Sequence, residues 1–233
     1  MKAIVESEFW ELFPEAQINI LHIKDINNQT KDAEYFSDLL KQAAKEAQKF
    51  LTEETFSQNP VVAHWREAFT RFKTKKGARS SIEALLKRVN QGREFTPINP
   101  LVDIYNSISL KYAVPCGGED LEKIQGNLRL GQATGGENFL PLGAEEDAPA
   151  LPGEIIYYDD AGAICRCLNW REAQRTMLTE ETTEAILVIE SINPQQAARA
   201  DQAMEEMKQL METYFEVKGI SEILTKDQPE QEL

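Results

Sequence analysis

The sequence predicts an α+β fold, with mainly antiparallel β-sheet in the C-terminal half, helices packed around it and a C-terminal helix. Residues 31–51 carry apolar side chains at the spacing of an amphipathic helix. After Cys116, glycines recur every few residues between short apolar runs, which is typical of strands joined by turns. Residues 195–217 return to helical spacing and predict a helix that docks on the core.

The individual elements follow from the same patterns. A strand is expected over 18–26, where β-branched residues precede Asn27-Asn28. Further helices are expected over 61–72, about 80–92 and 100–115, the second of them capped by Ser80 with Glu83 completing a capping box. The strands expected in the C-terminal half are NLRLGQA, FLPLG, EIIYYD, AICRCLN and AILVIES, with a hairpin turn at 159–162.

These elements predict one domain over residues 1–194. It would comprise an N-terminal α/β part, 1–60, and a core, 60–192. The helix at 195–217 follows it, and a flexible tail is expected at 225–233 because that stretch is short, polar and terminal.

Composition excludes several classes of protein. No apolar run is long enough to span a membrane, and the first residues lack a signal-peptide pattern, so a cytoplasmic protein without membrane contact is expected. Three cysteines and two histidines, poorly spaced, predict neither a disulfide framework nor a metal site. No glycine-rich phosphate motif is present either.

Charge is unevenly distributed along the chain. The net charge of −14 argues against nucleic-acid binding. Residues 64–93, however, hold nine Lys or Arg against two Glu, which makes this segment basic within an acidic chain. Either a solvated pair of helices or a nucleic-acid contact surface explains this segment.

Large polar side chains cluster after the predicted strand AICRCL. Asn169, Trp170, Arg171, Glu172, Gln174 and Arg175 lead into Thr176. Side chains at the end of a strand are held by a rigid sheet, which favours a binding site. The alternative is a surface cluster of ion pairs, which would stabilise the fold little.

Two other polar features of the sequence are explained by a purely structural role at least as well as by a role in ligand binding. Asp103 and Asn106 lie three residues apart on one face of the helix predicted over 100–115, and either bind a ligand or bond to a nearby loop. Gly117-Gly118 either exposes backbone N–H donors or forms an ordinary turn.

Four stretches together resemble the B3/B4 domain family, named for the editing module of the β subunit of bacterial phenylalanyl-tRNA synthetase. The free-standing B3/4 proteins are the nearer resemblance. The stretches are RSSIEALLKRV (79–89), INPLVDIYNSISLKYAVPCGGEDLEKIQG (98–126), PGEIIYYDDAGAICRCLNWREAQRT (152–176) and EETTEAILVIES (180–191). The resemblance rests on three motifs in this order: LVDIYN, the sequence Pro-Cys-Gly at 115–117, and NWRE.

The resemblance implies an enzyme that hydrolyses the ester of a mischarged amino acid at the 3′ end of aminoacylated tRNA, with no metal or organic cofactor. It implies Glu172, Asn169, Gly117 and Gly118 at the reaction centre, with Glu172 reading the amino acid and the glycines offering backbone donors. It implies a substrate pocket formed by Asp103, Asn106, Cys116, Glu119, Trp170, Arg171, Arg175 and Thr176. It places tRNA contacts at Arg79, Ser80, Lys87 and Arg88.

One departure changes the expected substrate. The synthetase domain has a histidine shortly after the proline that corresponds to Pro115, and here the sequence is Cys116-Gly117-Gly118-Glu119. Glu119 and Glu172 in one pocket would favour a basic or hydroxylated amino acid over tyrosine. The alternatives are a non-catalytic module that binds an amino acid or small metabolite, and a tRNA-binding protein without hydrolysis.

Overall fold

A computed structural model describes residues 1–233, with six α-helices and ten β-strands. The helices are α1 Ser7–Leu12, α2 Ala33–Ala47, α3 Pro60–Ala68, α4 Ser81–Asn90, α5 Pro100–Tyr112 and α6 Pro194–Phe215. The strands are β1 Lys2–Val5, β2 Gln17–Lys24, β3 Cys116–Asp120, β4 Leu128–Gln132, β5 Ile155–Asp159, β6 Gly162–Arg166, β7 Arg171–Glu172, β8 Glu184–Ser191, β9 Ile220–Leu224 and β10 Glu230–Glu232. The predicted α+β class is confirmed.

The strands form two sheets. The first has the order β10-β1-β4-β5-β6-β7, and all its pairs are antiparallel except β1 with β4. The second has the order β3-β8-β2-β9 and is antiparallel throughout. Since β1 pairs with β4 and β2 with β8, the N-terminal 60 residues supply one strand to each sheet and do not form a separate layer.

The second sheet is buried on both faces, which explains the unbroken apolar run of β8. Ile186 and Val188 face a core shared with strands of the first sheet, while Leu187 and Ile189 face a core shared with α5 and α6. A strand that is covered on both faces need not alternate polar and apolar residues. A cavity lies on the first of these faces, between the two sheets.

The structure differs from the predicted elements in three places. FLPLG forms no strand, and only an isolated bridge joins Pro141 to Ala173, since proline cannot donate to a ladder. The strand predicted over 163–169 ends at Arg166 because the next two residues have positive φ angles. The expected flexible tail at 225–233 contains β10, which pairs with β1.

Candidate functional site

A cavity opens between the two sheets and is lined by residues of both. Its walls come from β3, β4, β5, β6, β7 and β8, from the turn after β6 and from the first residue of α4. The cavity itself has a volume of about 50 Å³, and the space reaches about 460 Å³ when the solvent at its open mouth is included. Among the predicted site residues, six line this cavity: Cys116, Gly117, Gly118, Glu119, Asn169 and Glu172.

Strand β3 forms one wall through its two glycines. Gly117 lies on the same strand face as Glu119, and a Cβ atom built at Gly117 would lie 3.8 Å from Glu172 Oε1. The missing side chain therefore leaves space between the two carboxyl groups. A Cβ atom at Gly118, on the other face, would lie 2.5 Å from Leu187 Cδ2, so packing there requires glycine.

The ladder of β3 leaves the Gly118 N–H pointing outward. Glu190 N–H donates to Pro115 O at 3.1 Å, whereas Asp120 N–H points away from β8 and donates to Thr176 O at 2.9 Å. In an antiparallel pair, the N–H groups of successive residues point alternately toward and away from the partner strand. Gly118 is two residues before Asp120, so its N–H also points away from β8 and is available on that side. The turn considered for Gly117-Gly118 is a strand instead.

The turn after β6 delivers two polar side chains to the cavity. Cys167 and Leu168 have φ angles of 50° and 64°, so the chain reverses tightly and returns as β7. Glu172 then pairs with Cys165 across the ladder, and Asn169 lies at the tip of the reversal. Two residues of the polar cluster after this strand, Asn169 and Glu172, thus line the cavity.

A chain of hydrogen bonds joins this turn to β8 and to α4. Asn169 donates through its side-chain amide to Glu190, and its side-chain oxygen accepts the Ser81 N–H at 3.0 Å. The Tyr157 hydroxyl donates to the other oxygen of Glu190 at 2.8 Å. Glu190 is therefore held in a fixed position in the cavity wall, and the start of α4 is fixed beside it.

Burial shifts the three carboxyl groups that line the cavity toward their neutral, protonated forms. Burial raises the pKa of Glu172 to about 7. Burial also raises the pKa of Glu190 to about 7, against the hydrogen bonds from Tyr157 and Asn169 that lower it. Burial, followed by the charge of Glu172, raises the pKa of Glu119 well above its usual range. No lysine or arginine lines the cavity to offset these three carboxyl groups.

Three polar atoms around the cavity are buried without a hydrogen-bond partner. They are Glu119 Oε2, Ser81 Oγ and Thr176 Oγ1. Buried polar groups in native proteins are nearly always paired, so unpaired ones that line a cavity mark positions where a ligand can bind. Ser81 and Glu119 both line the cavity, whereas Thr176 does not, and its hydroxyl lies close enough to Glu119 to lower the pKa of that carboxyl.

Several predicted substrate residues lie outside the cavity lining. Both terminal nitrogens of Arg175 donate to Asp159 at 2.8 Å, so this arginine fixes the start of the β5–β6 hairpin. Asp103 accepts the Ile98 N–H with both oxygens, which is the loop contact considered as its alternative role, and burial raises its pKa to about 6. The other four residues outside the lining are Thr176, Asn106, Trp170 and Arg171, and the Arg171 guanidinium stacks on the indole ring of Trp170.

The predicted tRNA residues lie on or near α4. Ser80 caps this helix by accepting the Glu83 N–H, as predicted. Lys87 and Arg88 lie in its last turn, and Arg79 is exposed just before the cap. None of the charged three forms an ion pair. Arg79 is only two residues from Ser81, so the basic segment leads directly to the cavity.

Sequence reasoning missed three of the polar residues that line the cavity: Ser81, Tyr157 and Glu190. Glu190 carried a usable signal, because a glutamate two residues after Val188 in an apolar strand shares its face and is buried. Tyr157 and Ser81 gave no comparable signal in the sequence, because their position at the cavity depends on how the two sheets and α4 pack together. The two histidines lie elsewhere, and His22 contacts Glu184 at 2.6 Å.

The structure contains no cluster of side chains suited to a metal ion. None of its helices combines the length and apolar character that a membrane span needs.

Comparison with known proteins identifies the family. The B3/4 domain model matches residues 64–226. The β subunit of phenylalanine–tRNA ligase from Cutibacterium acnes is 32% identical over 104 residues, which cover 45% of this chain and 12% of that protein. The same subunit from Ruegeria pomeroyi is 36% identical over 93 residues, covering 39% and 11%. This chain thus matches only a small part of each relative.

One solved structure covers most of the chain at low similarity. It is an N-terminal fragment of the phenylalanyl-tRNA synthetase β subunit from Pyrococcus horikoshii, with 11% identity and a TM-score of 0.45, covering 97% of this chain and 52% of that one. The match of the family model spans more than half of the sequence. The chain belongs to the B3/4 domain family.

Proposed function

We propose that this protein hydrolyses the ester bond between a wrongly attached amino acid and the 3′ end of a tRNA. The observation that carries the proposal is the cavity, which combines backbone and hydroxyl donors with three carboxyl groups in a B3/4 domain. The relatives are named as β subunits of phenylalanine–tRNA ligase, which supports a tRNA substrate.

Ester hydrolysis suits the groups that line this cavity. An aminoacyl ester is already activated, so catalysis needs an oriented water and donors for the oxyanion that forms on the carbonyl oxygen. The outward Gly118 N–H, the unpaired Ser81 hydroxyl and the N-terminal end of α4 are such donors. Glu172 lies at the partly exposed side of the cavity, where it can accept a hydrogen bond from a water or from the α-amino group.

The basic segment supplies the tRNA contact in this proposal. Lys75, Lys76 and Arg79 are exposed in the loop before α4 and form no ion pair, so their charges are free for phosphate. The loop ends at the cavity wall, which would place the terminal phosphates near these cations while the ester enters the cavity. Each phosphate contact would steepen the dependence of affinity on salt.

The test is deacylation of a panel of tRNAs, each carrying its correct or a wrong amino acid. Release of one wrongly attached amino acid at least ~100-fold faster than the uncatalysed rate supports the proposal. Release at the uncatalysed rate across the panel contradicts it.

A second function, binding an amino acid without hydrolysis, is favoured by one observation. No histidine lines the cavity, and burial raises the pKa of both thiols there, Cys116 and Cys165, so neither is a ready nucleophile. A binding module would show affinity for a free amino acid that changes little with salt, whereas tRNA binding falls steeply as salt rises.

A further inference from the structure

The three cavity glutamates have no cationic partner in the protein. Glu119, Glu172 and Glu190 all line the cavity, and none of the ion pairs of the chain includes them. Arg175 is close enough for its charge to lower the pKa of Glu119, but both of its terminal nitrogens are hydrogen-bonded to Asp159. Ionising carboxyl groups that are buried together costs free energy when no cation is beside them. Binding a cationic ligand in the cavity would lower that cost.

Glu119 shows where such a charge would bind. Its side chain is 7% exposed, and its Oε2 atom has no hydrogen-bond partner. Glu190, by contrast, accepts hydrogen bonds from Tyr157 and Asn169. The Glu119 oxygen without a partner therefore belongs to a side chain that lines the cavity, where the ionised carboxylate can accept hydrogen bonds from a ligand, and Gly117 leaves the space through which a ligand can reach it.

The number of acceptors favours a ligand with several donors. A phenol brings one O–H and can satisfy one carboxylate oxygen, whereas an ammonium brings three N–H donors and a guanidinium five. Hydrogen bonds between a cation and a carboxylate are also about twice as strong as neutral ones. Three carboxyl groups around one cavity match a cationic group better than a hydroxyl.

We propose that the cavity selects an amino acid whose side chain ends in a cation, an ammonium or a guanidinium, and that Glu119 is its main contact. This deepens the proposed function and rests on it for the attachment of that amino acid to tRNA. Glu190, fixed by Tyr157 and Asn169, acts as a second specificity-determining carboxylate.

The test compares ligands that differ in charge but hardly in shape. The probes are adenosines that carry arginine or citrulline, or lysine or norleucine, through a stable amide at the 3′ position. Isothermal titration at pH 8 should give a Kd about tenfold or more lower for the arginine or lysine probe than for its neutral counterpart. The preference should shrink to within about threefold in Glu119→Gln, and persist in Glu180→Gln, which changes an exposed glutamate outside the cavity.

Proton release gives a second readout that does not need hydrolysis. A cation that binds among partly protonated carboxyl groups displaces a proton, so the binding heat at pH 7 should depend on the ionisation enthalpy of the buffer. The probe with a neutral side chain, whose only cation is the α-ammonium group, should show a smaller dependence. If Glu119→Gln unfolds, this comparison on the wild-type protein still decides the question.

The two proposals fail in distinguishable ways. Equal or weaker binding of the cationic probes, tighter binding of a tyrosine probe, or no binding of any probe overturns the assignment of a cationic side chain. Hydrolysis of tyrosyl-tRNA in the last two cases would leave the deacylase proposal standing. Preferential binding of a cationic probe without hydrolysis of any charged tRNA supports the cationic site and contradicts the deacylase.

Discussion

The side-chain oxygen of Asn169 accepts the backbone N–H of Ser81 at 3.0 Å, which ties the turn after β6 to the first residue of α4. The same side chain donates to Glu190 on β8. One amide thus links a turn, a helix and a strand that are far apart in the sequence. The shape of the cavity depends on this link, because each of the three residues lines it.

Removing this amide should both destabilise the fold and weaken ligand binding. Asn169→Ala leaves the Ser81 N–H without its partner and Glu190 with one hydrogen bond fewer, at a cost of about 1 to 3 kcal/mol in the free energy of unfolding. Urea unfolding measures it. Asn90→Ala, at the exposed end of α4, is the control and should change stability by less than about 0.5 kcal/mol. Equal stability of the two variants would show that the link is not needed.

The raised pKa values of the cavity glutamates predict an unusual pH dependence of stability. Glu172 and Glu190 shift from 4.5 to about 7 in the folded protein, so between these pH values the folded state binds more protons than the unfolded chain. The free energy of unfolding should therefore be highest below about pH 4.5, as far as these two groups are concerned, and fall as pH rises to 7.

Glu190→Gln should remove part of that fall, on the order of 1 to 3 kcal/mol, because the amide cannot ionise. Urea titrations at several pH values measure the slope. Glu180→Gln should keep the wild-type slope. A Glu190→Gln slope identical to wild type would mean that Glu190 does not titrate in this range.

The two adjacent glycines should respond to substitution in opposite ways. Gly117→Ala adds a methyl group 3.8 Å from Glu172 Oε1, in the open cavity, so stability should change by less than about 0.5 kcal/mol while ligand affinity falls. Gly118→Ala meets Leu187 and Leu178 and should lose about 1 to 3 kcal/mol of stability. Thermal unfolding and probe titration of both variants test this contrast. Similar effects of the two substitutions would contradict the placement of β3.

The basic segment should govern the affinity for tRNA through charge alone. Arg79→Gln should weaken tRNA binding and lower the slope of log affinity against log salt by about 1 if this residue contacts one phosphate. Lys226→Gln removes one exposed cation near β9, at the sheet edge opposite β3, and should leave the slope unchanged. Fluorescence anisotropy across a salt series measures both. Equal slopes for Arg79→Gln and Lys226→Gln would place the tRNA elsewhere.

The sequence predicted most helices and central strands because their signals are local. The apolar spacing of α2 and α5 and the hairpin turn at Asp159–Gly162 depend only on neighbouring residues. β1 and β10 were missed because a short strand gains its partners from the tertiary fold, here β4 and the chain terminus.

Local sequence patterns also predicted part of the candidate site. Gly117, Glu119, Asn169 and Glu172 stand in two polar stretches that could be recognised along the chain, and they meet in one cavity. Arg175 stands in the same stretch but turns to Asp159, and no local pattern distinguishes a ligand contact from an internal ion pair. The third carboxyl group of the cavity belongs to Glu190 on β8, and the sequence analysis did not identify this glutamate within an apolar strand as a site residue.

The most direct test of the central claim is the rate at which an amino acid is released from a wrongly charged tRNA, measured for wild type, Glu172→Ala and Glu180→Ala. We predict that wild type and Glu180→Ala release it at the same rate, and that Glu172→Ala is slower by about 100-fold. The ester of the correctly charged tRNA should survive with all three proteins. Release by Glu172→Ala at the wild-type rate and with unchanged substrate preference would contradict the role of this cavity in hydrolysis.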